Sequence, residues 1–308
     1  MAPSVVVVIP VRNGAAYLDR LLPALRAQSL QPAQWLVVDS QSSDDSAERW
    51  RRFGARVVSV EAAQFNHGGT RGWAAGLVDA DVLVYLTQDA VPVPPHGLQA
   101  LVDGLLADER NAVAYGRQLP HPGAGVLAAH GRAFNYPAQP RTKSLADAPQ
   151  LGIKTCFSSD AFAAYRRSAL EQIGGFPADV IGSEDAHVAG RALLAGYQVA
   201  YVAGACAWHS HDYSVAEEFR RYFDIGVFYR REHWIAEAFG GAGGEGWRYV
   251  RSELAAVMAA GQPWRVAEIG LRTVAKLAGY RLGHLERRLP LSFKRRVSMF
   301  PGYWKGTP

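Results

Sequence analysis

Four groups of residues able to do chemistry stand where apolar runs of this chain end. Asp39 follows Gln34–Val38, Asp89 follows Val82–Gln88, Glu184 and Asp185 open a predicted helix, and His209 and His211 follow Cys206–Trp208. Open α/β sheets bind ligands outside the carboxyl ends of their strands, so these groups should converge on one crevice. Carboxylates and imidazoles gathered there can hold a divalent cation, stabilise a departing phosphate and accept a proton. The combination points to an enzyme acting on a nucleotide-activated substrate.

Each group also has a plainer reading. An Asp at a strand end often only closes the following loop. What lifts Asp39 is its place beside Pro10 and Arg12, where a carboxylate can accept the ring N–H of uracil or thymine and refuse cytosine. Asn66-His67-Gly68-Gly69-Thr-Arg71 reads as a loop before a helix starting near Gly72; its glycines let backbone approach a ligand, and Arg71 can meet a phosphate or ribose. It is not a P-loop, because no Gly-Lys-Ser/Thr follows. Gly123–Ala128 mimics a dinucleotide fingerprint but follows Pro120-His-Pro122 rather than a strand, and is rejected.

Asp89 can bridge Mg²⁺ or Mn²⁺ to a diphosphate. His209 and His211, two apart, share a face of an extended segment, and one of them, paired with Asp89, is a second candidate metal ligand. Acidic residues in a first helical turn complement the dipole without any further role. The same dipole would keep Asp185 ionised near neutral pH, as a general base must be.

The elements that must position these residues are legible as alternation. Val5–Pro10, Leu36–Asp39, Arg56–Val60 and Asp81–Leu86 read as strands, with helices between them over Leu18–Gln28 and after a capping box at Asp45–Glu48. That pitch implies βαβ units and a mainly parallel sheet flanked by helices. Further strands are expected at Val113–Gln118, Ala161–Tyr165, Gln198–Val202 and Ala205–Trp208, with a helix over Ser183–Ala195. After Tyr213 the chain turns helical: Val215–Arg231, Trp247–Ala260 and Trp264–Arg288, with Gly240–Gly244 as a linker.

Bulk properties narrow the class. At 308 residues and 49% hydrophobic the chain is an ordinary folded protein, and no apolar stretch is long enough to span a membrane or serve as a signal peptide. Cys156 and Cys206 cannot form a disulfide framework, so a cytoplasmic setting is expected. The net charge of +5 resolves into −3 for residues 1–263 and +8 from Trp264 onward, so the body is no nucleic-acid binder. In the tail, Trp264, Ile269, Leu271, Val274, Leu277 and Leu282 interleave with Arg265, Arg272, Lys276 and Arg281. An apolar stripe with a cationic face fits an anionic membrane surface; packing on the catalytic domain with solvated charges is the plainer reading.

The stations, in their order, resemble the inverting family 2 glycosyltransferases of GT-A fold. The opening strand with Pro10 and Asn13, Val37-Val-Asp39-Ser-Gln-Ser-Ser-Asp44, and Tyr165–Phe176 followed by Glu184, Asp185 and Arg191 carry the likeness. Phe65–Arg71, Leu86–Ala90, His209–Ser214 and Phe219–Phe228 are similar to the bacterial rhamnosyltransferase branch. The resemblance implies a GT-A nucleotide-diphospho-sugar transferase domain over 1–212, divided into a nucleotide half (about 1–118) and an acceptor half (about 119–212), with a helical region over 213–308. It implies transfer of L-rhamnose from dTDP-β-L-rhamnose to a glycan or lipid-linked glycan, for polysaccharide or O-antigen synthesis.

Under that resemblance Asp39 takes the base, while Pro10, Arg12, Asn66, His67, Gly68, Arg71 and Gln88 line the nucleotide. Asp89 and His209 hold the divalent cation, Asp185 is the base, and Glu184, His211 and Trp208 face acceptor or sugar. The family's Asp-x-Asp is reduced here to Thr87-Gln88-Asp89, and a carboxylate usual near the base is replaced by His187. The rival readings are the same fold with a UDP-sugar donor, a metal-dependent hydrolase on His209, His211, Asp89 and Asp185, and an inert nucleotide- or glycan-binding protein. The hydrolase reading leaves Asp39 and Asn66–Arg71 without a role, and mere binding requires no base.

Overall fold

The computed structural model describes residues 3–241 and 243–305; Met1, Ala2, Ala242 and Gly306–Pro308, which include parts of the expected linker and tail, lie outside the described residues. Nine strands form one sheet: β1 (Val5–Val11), β2 (Gln34–Asp39), β3 (Arg56–Ser59), β4 (Val82–Leu86), β5 (Val91–Pro92), β6 (Asn111–Leu119), β7 (Arg141–Lys143), β8 (Phe162–Arg166) and β9 (Gln198–Trp208). Their order is β3-β2-β1-β4-β8-β6-β9-β5, with β7 on the outside of β9. β1 to β4 are parallel, and the buried apolar runs of β1 and β4 suit strands covered on both faces, while β3 is an exposed edge strand.

β8 runs antiparallel to both β4 and β6, and β9 runs parallel to β6. The carboxyl ends of β1, β2, β4, β6 and β9 therefore share one edge, and the start of β8 lies there too. The chain passes outward from β1 through β2 to β3, then returns to β4 on β1's other side. That reversal opens a crevice between the ends of β1 and β4.

Several local expectations are corrected. Asn66–Arg71 is not a loop: the helix begins at His67, and the Asn66 side chain caps it by accepting from Gly69 N at 2.8 Å. The box at Asp45–Glu48 does not form; Asp44 instead accepts from Ser46 N and Ala15 N at 3.0 Å each. The two strands expected over Gln198–Trp208 are one strand with a register shift opposite Gly116 and Arg117.

The C-terminal helices, Val215–Arg231, His233–Phe239, Glu245–Ala259 and Val266–His284, follow, with a further helix at Leu291–Val297 and single 3-10 turns around it. Phe223, Val227, Phe228, Ile235 and Trp304 belong to the same buried cluster as strand residues Val8, Leu83 and Tyr165. The helical region is thus built onto the sheet's own core.

Candidate active site

Two clusters form at the shared edge. In the first, Asp89 follows β4 and His209 and His211 follow β9. Asp89 Oδ2 lies 3.5 Å from His209 Nε2 and 3.4 Å from His211 Nε2, and the two Nε2 atoms are 3.0 Å apart. Ligand atoms on neighbouring vertices of an octahedron of radius roughly 2.1–2.5 Å lie about 3.0–3.5 Å from each other, so the triad fits a divalent cation.

Gln118, near the end of β6, supplies the second layer. Its Oε1 accepts from Arg132 Nη1, which can only donate, so the amide orientation is determined. The same Oε1 faces His209 Nδ1 at 2.9 Å, so that nitrogen donates to it and Nε2 is turned toward the triad. Burial would raise the Asp89 pKa, but the His209 hydrogen bond and charge, with His211, outweigh it and hold the carboxyl below the usual range. Burial and neighbouring His209, Arg132 and Arg221 push His211 down to about 4 against the pull of Asp89. His211, expected on the acceptor side, lies instead with Asp89 and His209 in a group that could hold a metal ion.

The second cluster is carboxylate-rich. Asp185, in the first turn of the helix Glu184–Leu194, accepts from Ala186 N at 2.7 Å and from Asp160 N at 3.4 Å. Arg71 is 4% exposed and pairs with Asp160 at 3.0 Å and Glu184 at 2.8 Å. The structure thus gives Arg71 and Glu184 different partners from those expected: both face inward rather than toward phosphate or sugar. Burial and then Asp160 and Glu184 raise the Asp185 pKa well above the ordinary carboxylate value, with Ala186 N–H and Arg71 offsetting only part. The expectation that the helix dipole would keep Asp185 readily ionised is overturned by its neighbours.

Other expected residues shape the walls. Gln88 accepts from Arg12 N at 2.9 Å and donates to Arg12 O at 3.2 Å, fixing the loop after β1 rather than projecting past it. Asp39 ends β2, buried, and accepts from Ser42 N at 3.3 and 3.2 Å. Pro10 is the penultimate residue of β1 and pairs across to Val38. The glycine at 68 serves packing: a Cβ there would sit 1.9 Å from Pro177 O. His67 lies edge-on to Phe300 with ring centroids 4.6 Å apart, under the C-terminal segment. Trp208 packs against the buried cluster that includes Val91 and Ala207. His187 reaches Glu232 at 3.5 Å and packs on Trp234, tying the helix that carries Asp185 to the C-terminal region.

Sequence reasoning missed Asp160, Gln118, Arg132 and Arg221. Gln118 Nε2 donates to Ser159 Oγ at 2.7 Å, and the next residue, Asp160, donates its N–H to Asp185, so the segment Ser159-Asp160 touches both clusters. The Arg221 guanidinium lies 5.9 Å above the Tyr213 ring, which stacks on His211 at 5.1 Å. Among the described residues neither Arg132 nor Arg221 has a carboxylate within ion-pair distance.

Residues 6–174 match the model of glycosyl transferase family 2. The chain belongs to that family. This glycosyltransferase is 42% identical to an O-antigen chain rhamnosyltransferase of Salmonella anatum, over 98% of this chain and 96% of the relative. It is equally similar, 42% over 97% and 96%, to an O-antigen chain rhamnosyltransferase of Salmonella typhimurium. Among solved structures, a mannosyltransferase of Pyrobaculum calidifontis in complex with GDP-Man and Mn²⁺ shares the fold, with a TM-score of 0.59, 21% identity, and coverage of 99% of this chain and 85% of that one. The family 2 enzyme thus has the GT-A-like architecture expected of it, and it is a hexosyltransferase rather than a hydrolase or inert binder.

Proposed function

We propose that this enzyme transfers L-rhamnose from dTDP-β-L-rhamnose to a hydroxyl of a lipid-linked glycan, with inversion, at the inner face of the cell membrane. Full-length similarity to two rhamnosyltransferases is the observation that carries the donor. Asp39 would accept the thymine N–H, and Pro10 and Arg12, held by Gln88, would frame the nucleoside. Asp89, His209 and His211 would hold a divalent cation such as Mn²⁺ or Mg²⁺. When bound, that ion would neutralise charge on the diphosphate.

The chain's own residues do the rest. The acceptor oxygen attacks the anomeric carbon from the face opposite the diphosphate; the new C–O bond forms as the old one breaks, and its electron pair leaves with the diphosphate. Asp185 takes the acceptor proton, and its raised pKa makes the ionised form a stronger base than an ordinary Asp. Arg132 and Arg221, free of carboxylates, would meet the leaving charge where it develops, the role Arg71 cannot fill while it pairs Asp160 and Glu184.

The test is a melting screen against dTDP, UDP, GDP and ADP, each with Mn²⁺, Mg²⁺ or EDTA, followed by donor turnover. A ligand at a hundredfold excess over its Kd stabilises the fold by about 2.7 kcal/mol. A metal-dependent shift led by dTDP, with dTDP release from dTDP-rhamnose on adding acceptor, is expected. A UDP-led shift with turnover of a UDP-hexose alone would move the donor.

A further inference from the structure

One face of the C-terminal region is the reverse of an ordinary surface helix. In the helix Val266–His284, no charged side chain is exposed before Arg281; the outward positions include Val266, Leu271, Val274 and Leu277. Leu271 is 62% and Val274 67% exposed. The charges point inward: Arg272 and Lys276 lie 3.7 and 3.3 Å from Glu218, and Glu268 pairs with Arg265 and Arg272. The expected cationic outer face is therefore turned into the protein.

The cause is a glycine seam. Cβ atoms at Gly279 and Gly283 would lie 2.3 Å from Phe219 O and 2.2 Å from Phe223 O, so the helix meets Val215–Arg231 backbone to backbone. Ile269 is buried and Leu282 packs against the main core, while Val266, Leu271, Val274 and Leu277 remain outside. A surface helix normally buries such residues and exposes its charges.

The surroundings say what this face fits. Trp264, 70% exposed, stands just before one end. In the last turn and beyond the other end, Arg281, Arg287, Arg288, Arg295 and Arg296 are exposed. From Trp264 to Lys305 the only carboxylates are Glu268, half-buried, and Glu286, buried with Arg231 and Lys294. No helix among the described residues is long and apolar enough to cross a membrane.

We infer that this face docks on an anionic lipid bilayer. Leu271, Val274 and Leu277 enter the acyl boundary, Trp264 sits at headgroup level, and the arginines meet anionic headgroups. Pairing with a second copy through the same face would leave both arginine clusters without an acidic counterpart. The inference deepens the membrane placement proposed above and is independent of the transfer chemistry, since it touches neither cluster.

Cosedimentation of the full chain with phosphatidylcholine vesicles, with and without phosphatidylglycerol, tests it. Binding is expected with phosphatidylglycerol and should weaken with salt. Leu271→Gln/Val274→Gln/Leu277→Gln should lower the partition coefficient at least about tenfold, and Arg281→Glu/Arg287→Glu/Arg288→Glu should do so independently. The dTDP-induced melting shift should persist in both variants, which reports folding and separates this inference from the donor reading. Wild-type protein that ignores anionic vesicles, or folded variants that sediment as wild type, would overturn it. A dimer in analytical ultracentrifugation that the apolar triple variant dissolves would assign the face to a second copy instead.

Discussion

Asp89 and Asp185 are carboxylates at the same edge of one sheet, yet their surroundings push them in opposite directions. Two imidazoles face Asp89 and favour its charge; two carboxylates, Asp160 and Glu184, crowd Asp185 and oppose its charge. An anion held ionised can keep a cation, and an anion held reluctantly can take a proton. Residue type alone does not divide these roles; the neighbours do.

Three substitutions probe that contrast. Asp185→Asn should lower turnover by about 10²–10⁴-fold or more while leaving metal-dependent dTDP binding intact. The sign of its stability effect is also determined. A carboxyl whose folded pKa is raised is penalised above its unfolded pKa, and the penalty grows until the folded pKa is passed. Asp185→Asn should therefore melt above wild type at pH 8 and alongside it near pH 3. For the same reason wild-type kcat/KM should rise with pH through the raised pKa. A flat acid limb would detach Asp185 from proton transfer.

Arg71→Met leaves Asp160 and Glu184 buried without their cation and should cost about 3–5 kcal/mol in urea unfolding at pH 8. Lower pH should return part of the loss, because protonated carboxyls no longer need the guanidinium. If Arg71→Met instead folds as wild type but fails to bind dTDP, the guanidinium serves the ligand and not the cluster. Gln118→Leu removes the acceptor for His209 Nδ1–H and should weaken Mn²⁺ about 10–100-fold in calorimetric titration. Unchanged affinity would mean the imidazole is oriented by something else.

How much of this was legible in the sequence differs between the clusters. Strand ends carrying Asp39 and Asp89 are readable because buried parallel strands appear as apolar runs and ligands gather at their carboxyl ends. Asp160 escaped notice because it precedes a strand, and only the antiparallel direction of β8 brings that strand's start to the active edge. Spacing puts His209 and His211 on one face, and there their Nε2 atoms lie 3.0 Å apart; the separate acceptor role for His211 came from the resemblance and not from that spacing.

Gly68 and Gly69 argued against a helix by propensity, but the contact with Pro177 requires a residue without Cβ and tertiary packing prevailed. In the tail, the apolar stripe at helical spacing was visible while its direction was not. A seam of glycines sets that direction, and it depends on which helix lies opposite.

The division of labour is tested most directly by titrating dTDP, with Mn²⁺ and then with EDTA, into wild type, Asp89→Ala and Asp185→Asn, and assaying rhamnosyl transfer by each. Wild type and Asp185→Asn should bind dTDP alike with Mn²⁺, Asp89→Ala should lose the metal-dependent part, and only wild type should transfer. Full transfer by Asp185→Asn, or undiminished metal-dependent binding by Asp89→Ala, would contradict it.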